Sequence, residues 1–560
     1  MIEALDLKQI ETDKAVEERS RLAWGIVAAG LGVGILGDGL LRAWPLGLNG
    51  FLFVAAIGGA LIVLARRARH ELLARERWLW PALLLFPALA LWRDSPFLTA
   101  VNWLSTILVF SLILLHGLGR KLRRARLFDF VFGILALLGT SLVSPFLILF
   151  NDIKWHLAPR NDWTRRSVAA LRGVFLAIPL LVIFGALLMS ADVAFKNIVT
   201  GIFAIDPAEI ILHGLLIGFF GWFVIGFLRG ALFADSIEIP KESVGDKDAE
   251  TPKPVTEFFK IGFVETSVVL GSMNLLFGSF VAVQFAYLFG GRSRVLAGGV
   301  TYTEYARSGF FELAAVAALT LPFLIVLDRI ARREEGSQSV TFKLMAGSLI
   351  GFLFVMMGSA VYRMALYQQE FGLTELRFYV SSFMLWMAAT FIIFIFTVLR
   401  DRRDKFAFHA LAAGLAMAVA LNLANPDRLI VRVNLDRMAQ GKAFDIAYNG
   451  GLSADAIPEL VAALPRFSET DRTALGERLF RNWMPPETRD WRNFHIARMY
   501  AWRATGPRMA ELKQAWEKLE SVRQGNVAAP LEAVPSIEQP VEVKKEKRKD
   551  AKAQGRKALD

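Results

Sequence analysis

Apolar and polar positions fall along this chain in long blocks rather than in a globular mixture. Between positions 22 and 423, apolar runs of mostly about 18 to 25 residues alternate with short polar loops, and roughly 20 apolar residues carry a helix across a bilayer core about 30 Å thick. The runs predict membrane helices over 22–41, 48–65, 78–92, 97–118, 174–190, 210–227, 264–289, 309–327, 344–362, 379–399 and 406–423. The fold class expected is all-α: a polytopic helical membrane protein with about eleven transmembrane helices, or twelve if 128–150 also crosses. After Asn425 the pattern changes. Segments 452–464, 471–483 and 509–522 have helical periodicity with polar faces, joined by Pro-containing turns, and predict a small soluble helical domain over 425–524. From 525 to 560 the chain is rich in Pro, Glu and Lys and ends in a lysine-rich run, which predicts disorder.

Composition supports lipid as the main solvent: 54% of the 560 residues are hydrophobic and 44 are Phe. With no cysteine, disulfides, thiolate nucleophiles and Cys-ligated metal centres are excluded. The net charge of +12 does not point to nucleic acid, because the basic residues crowd into loops beside apolar runs, where they set orientation. The mixed acidic and basic segment 1–21 is unlike a signal peptide, and no small-residue cleavage site follows 22–41, so that run is expected to be a retained span with a cytoplasmic N-terminus.

Basic clusters at 66–77, 120–126, 229–260, 329–333 and 400–405 all belong in the cytoplasm if each intervening run crosses once. Segment 128–150 breaks this parity, because a crossing there would export the loop with Lys154, Arg160, Arg165, Arg166 and Arg172 and every later basic loop. The expectation is a re-entrant or interfacial segment bent at Gly139, Ser144 and Pro145, with a true span as the alternative. The polar loop 235–260 then divides a first membrane half, 22–234, from a second, 261–424. The C-terminal domain falls outside.

Motifs add little chemistry. Gly32, Gly34 and Gly37 spell a dinucleotide fingerprint, but no strand precedes them; Gly30 and Gly34 suit close helix packing. Asp38 and Arg42, four apart, share a helix face near its outer end and suit an ion pair better than a proton relay. His213 follows Glu209 by four without a third ligand, so no metal site is expected. Glu265, Asn274 and Gln284 are further candidate intramembrane polar groups. Helix-start signatures occur at Asp206-Pro207-Glu209 and at Thr301 with Glu304. Metalloprotease and P-loop signatures are absent, and no catalytic or cofactor-binding set emerges. On the inferred outer face lie Arg93, Asp94, Asp192, Lys196, Glu304, Arg307, Asn425 and Asp427, a candidate polar platform roofed by the soluble domain.

The stretches RDSPFLTAVNWLS at Arg93, MSADVAFKNI at Met189, GVTYTEYARSGFFELAAVAAL at Gly299, NPDRLIVRVNLDR at Asn425 and LSADAIPELVAALP at Leu452 resemble the bacterial multi-pass membrane families called domains of unknown function 4173 and 4153. The likeness runs from about Leu79 to Leu464 and implies residence in a bacterial cell membrane, with no catalytic residues to transfer. The function expected is a non-enzymatic membrane protein, transporter-like or sensing and organising at the envelope. The alternatives are a scaffold whose C-terminal domain docks a protein partner, and an enzyme acting on lipid-linked substrates with Asp94, Asp192 or Glu304 as acid or base. The partner common to all three is the lipid bilayer.

Overall fold

The computed structural model describes residues 2–70, 72, 76–125, 127–154, 207–233, 261–289, 310–331, 336–486, 488 and 490–523. Ten helices among the described residues are long and apolar enough to cross a membrane. The protein is an all-α polytopic membrane protein.

In chain order the membrane helices are α1 (Ile2–Leu41), α2 (Leu48–Arg67), α3 (Leu79–Trp92), α4 (Pro96–Gly117), α5 (Leu127–Leu147), α6 (Pro207–Leu232), α7 (Phe263–Phe289), α8 (Phe310–Ile330), α9 (Ser337–Phe371), α10 (Glu375–Thr397) and α11 (Arg403–Ala424). The expected span 174–190 lies outside the described residues. α3 has only 14 residues, about 21 Å of helix. It runs beside most of α11: Trp78 before it packs edge-to-face on Phe408 near the start of α11, and Arg93 after it donates to the Asn422 carbonyl near the end of α11.

Two hydrophobic cores divide the bundle. One joins α1 to α6, the other α7 to α10. α11 belongs to both, burying Ala407 and Ala418 in the first and Phe406 and Ala410 in the second. α1 and α6 pack closely and antiparallel because Gly34 has no side chain. A Cβ there would stand 2.6 Å from the Ile217 carbonyl oxygen, whereas one at Gly32 would meet nothing within 4 Å. In the second group α7 and α9 run parallel, joined by Asn274 to the Met345 carbonyl at 2.9 Å.

The two ends of the bundle differ chemically. One gathers Arg66 and Arg67, Arg120 to Arg124, Arg229, Arg329 and Arg400 to Lys405, and is cross-tied by Arg403 to Asp328 at 2.9 Å and Arg124 to Asp404 at 3.8 Å. Both ends of α5 meet this basic end. Asp129 lies 4.0 Å from Arg120, and α5 continues into a widened turn, Ile148–Asp152, where Asp152 pairs with Arg19 at 2.9 Å and Arg229 at 2.6 Å. The chain departs there at Lys154, and α6 begins at the opposite end, beside the last turn of α1.

That opposite end carries a helical domain: α12 (Pro426–Ala439), a single turn at Ile446–Asn449, α13 (Ile457–Ala463), α14 (Glu469–Trp483), α15 (Ile496–Thr505) and α16 (Met509–Arg523). Its core collects Ile430, Ile457, Leu460, Leu475, Leu479, Ala501 and Leu512, together with Leu373 from the turn between α9 and α10. The Ser468 hydroxyl caps α14 by accepting from the Asp471 N–H at 3.2 Å.

Candidate functional site

Two X-Pro steps build the junction between bundle and helical domain. The residue before a proline is driven out of the helical region, so Ser95-Pro96 and Asn425-Pro426 each end one helix and start the next. Between α3 and α4 the chain therefore leaves the helical path over Arg93, Asp94 and Ser95, and the Arg93 and Asp94 side chains reach the domain while that of Ser95 reaches α10. At the second step Asn425, at φ 50°, caps α12 by accepting from the Arg428 N–H at 3.3 Å.

Arg93 sits at the centre. Its Nη1 donates to Asp455 at 2.9 Å, its Nε to the Asn422 carbonyl at 2.8 Å, and its guanidinium lies 3.9 Å from the Trp92 ring. The Asn422 carbonyl is among the last four of α11, which have no acceptor role within the helix, so Arg93 satisfies an orphan. Asp94 and the domain exchange contacts reciprocally. The Asp94 N–H donates to Asp455 at 2.8 Å, while the Asp94 carboxylate accepts from the Ala454 N–H at 3.3 Å and from Arg498 at 2.7 Å. Ser95 shares a hydrogen bond with the Tyr379 hydroxyl at 3.1 Å, bringing in α10. Below them Asn102 of α4 and Asn422 of α11 pair side chain to side chain at 3.0 and 2.9 Å. A second tie lies nearby, where Asn434 of α12 accepts from the Leu373 N–H and donates to the Leu373 carbonyl.

Asp427 is fully buried, with one carboxyl oxygen held by the Ser453 hydroxyl and N–H and the other without a hydrogen-bond partner. Burial first, and then the negative charges of Glu375 and Asp455, push its pKa up to about 7. Asp94 and Asp455 face the guanidiniums of Arg498 and Arg93, while Asp427 lies in the field of Asp455 and Glu375 with no cation bonded to it among the described residues. Burial also raises Asp455, against the pull of the Asp94 amide and of Arg93. His495, buried with Nδ1 unpartnered and a hydrogen bond to the Ala90 backbone, is held below its ordinary value by desolvation. Tyr448 is pushed up to about 12 by burial, so its hydroxyl stays protonated while its oxygen accepts from the Glu375 N–H at 2.7 Å.

A model of the family described as domain of unknown function 4153 matches residues 80–463. The chain belongs to that family. Its matched region holds Arg93, Asp94, Asn422, Asp427, Ser453 and Asp455 of this 4153-family junction, whereas Arg498 and His495 lie beyond it. No curated protein and no solved structure matches the chain.

Of the outer-face candidates, Arg93, Asp94, Asn425 and Asp427 therefore meet at one junction, while Asp192, Lys196, Glu304 and Arg307 lie outside the described residues. The intramembrane candidates are scattered. His213 of α6 inserts between Asp38 and Arg42: its Nδ1 meets the Asp38 carboxylate, and its Nε2 lies 2.7 Å from Arg42. A guanidinium only donates, so the Arg42 contact is made to Nε2 as acceptor while Nδ1 faces the Asp38 carboxylate. Glu209 lies 3.6 Å from Arg42, and among the described residues no cluster of His, Asp or Glu could hold a metal. Glu265 is an exposed residue in the first turn of α7, next to the basic end. Asn274 and Gln284 bond across to α9, the latter accepting from Ser359 at 2.5 Å.

The sequence reading missed Asp455, Ser453, Arg498, His495, Asn102 and Asn422. Two signals were available: Asn102 and Asn422 are amides inside apolar runs, and Asp455 falls in the stretch at Leu452 that carries the family resemblance.

Proposed function

We propose that this 4153-family protein is an envelope-facing sensing or organising protein of a bacterial cell membrane, without enzymatic activity of its own. Its helical domain reports the state of the outer face to the membrane bundle. The orientation follows the positive-inside bias: the arginine-rich end is cytoplasmic, with the N-terminus, and the domain is extracytoplasmic. The contacts of Asp129 and Asp152 at one end support α5 as a re-entrant or interfacial segment rather than a span, and its unbroken course through Gly139, Ser144 and Pro145 favours the interfacial form. On the same terms we extend the relationship to the sister domain 4173, on the stretches that resemble both.

The observation that carries the reading is the buried Arg93–Asp455 pair with its Asn422 contact. It fastens the domain to α3 and to the end of α11, the one described membrane helix belonging to both hydrophobic cores. A shift of the domain pulls on α11, whose other end is tied through Arg403 to Asp328 at the basic face. Transport is less well supported because Asn274 and Gln284 are engaged in helix contacts, and catalysis at Asp94 because both its oxygens are bound. The test is hydrogen exchange in lipid nanodiscs with Asp455→Ala. Amides of 401–405 should exchange faster although the substitution lies at the far end. Unchanged exchange there would leave the domain a passive cap and end the proposal.

A further inference from the structure

Between α14 and α15 the segment 490–494 leaves the domain and lies against the turn joining α1 to α2. Arg492 Nη1 donates to the Gly39 carbonyl at 2.8 Å, Asn493 Nδ2 to the Trp44 carbonyl at 3.3 Å, and the Leu48 N–H to the Phe494 carbonyl at 3.0 Å. Gly47 permits this approach, since a Cβ there would collide with the Phe494 carbonyl. The apolar run of α1 extends to Leu41, so a segment bonded at Gly39 reaches the rim of the membrane-spanning region instead of standing clear of it.

Large apolar side chains are open at this level: Trp44 is 77% exposed, Trp491 61% and Phe494 39%. The open surface continues down α1 through Ile35 and Leu36, on the helix that spans the bilayer. Within the segment, Asp490 and Arg492 pair with each other at 2.7 Å. Indole rings, with an apolar body and one N–H donor, are most stable at the boundary between headgroups and acyl chains. The geometry points to a phospholipid surface as the partner of this patch: Trp491 and Phe494 of the helical domain, with Trp44 beside them, seat in the headgroup–acyl boundary of the leaflet under the domain. The contact gives the domain a second hold on the membrane besides the Arg93–Asp455 pair, whichever leaflet is outer.

The absence of cysteine makes the test direct, because single labels need no background substitutions. Nitroxides are attached at Trp491→Cys, at Trp44→Cys and, as a control, at the exposed Glu517→Cys on α16, with the full chain in phosphatidylcholine nanodiscs. Collision with oxygen is compared with collision with a water-soluble nickel chelate. Labels at 491 and 44 should read a depth of about 5–10 Å below the headgroup surface, the range for interfacial apolar groups, with 517 in water. Should either substitution fail to fold, the other label decides alone. Nickel access at 491 and 44 equal to that at 517 would overturn the proposal, as would shielding of both from oxygen and nickel alike, which would mean a protein contact.

Discussion

Replacing Asp455 with alanine strands the Arg93 guanidinium at the junction of bundle and domain. The two side chains are 9% and 3% exposed, so this is a buried pair. Removing one member of such a pair costs about 3–5 kcal/mol, chiefly because the remaining charge loses its partner. Arg93 keeps the Asn422 carbonyl and the Trp92 ring, which favours the lower figure, about 3 kcal/mol, but the Asp94 N–H also loses its acceptor, at about 1 kcal/mol. Together these are worth roughly a thousandfold in the docking equilibrium. The Leu48 amide is a remote reporter, since its acceptor is the Phe494 carbonyl of the domain. Hydrogen exchange at Leu48 in nanodiscs should lose roughly two to three decades of protection if opening of the domain governs exchange there. The double variant Arg93→Leu/Asp455→Leu should recover most of the loss, because no charge is left buried alone. Undiminished protection at Leu48 in Asp455→Ala would refute the reasoning, and so would a double variant as open as the single one.

Asp427 gives a pH dependence of definite sign. The folded carboxyl titrates near 7 and the exposed one near 3.8, so between these the folded state holds a proton that the unfolded chain releases. This group's contribution to domain stability should fall as pH rises from about 4 to about 7, by up to about 4 kcal/mol, with buried Asp455 acting in the same direction. Asp427→Asn should make the slope shallower, and an unaltered slope in thermal unfolding would disprove the assignment. His495, with its pKa held below the ordinary 6.5, acts in the opposite direction, losing stability as pH drops below 6.5; His495→Gln should therefore steepen the fall with rising pH. Gly34→Leu should lower the thermal midpoint of the detergent-solubilised protein by forcing α1 from α6, at a cost of about 1–3 kcal/mol or more, while Gly32→Leu, with open space, should leave it unchanged. Asp152→Ala should cost about 3–5 kcal/mol by stranding Arg229, whose side chain is 4% exposed, and a thermal midpoint equal to wild type would count against α5 being fastened there.

The membrane helices were legible because their signal is local: twenty apolar residues in a row carry their own meaning. α9 is longer than its apolar run suggests, reaching from Ser337 to Phe371, since polar turns continue a helix beyond the lipid on both sides. α15 was missed because HIARMYAWRAT has a mixed apolar face whose partners are α13 and α14, and nothing local marks it. The junction was half legible. The run Arg93-Asp94-Ser95-Pro96 advertises itself as charged residues breaking an apolar pattern, but its partner Asp455 stands more than three hundred positions away and reads as an ordinary loop acid. The Asp38 and Arg42 pair was read from helix spacing alone, and His213, which separates them, enters from another helix. Spacing rules see one helix at a time.

The central claim is that a helical domain is latched on the extracytoplasmic end of a bundle whose basic end faces the cytoplasm, and side-specific labelling tests it most directly. Single cysteines at Glu517 in the domain, at Arg120 and Lys154 beside the two ends of α5, and at Arg402 in the turn before α11 would be exposed to a membrane-impermeant maleimide on intact cells. On intact cells 517 alone should be labelled, with 120, 154 and 402 reacting only after permeabilisation. Labelling of 120, 154 and 402 on intact cells with 517 protected would invert the protein, and labelling of 154 without 120 would make α5 a span.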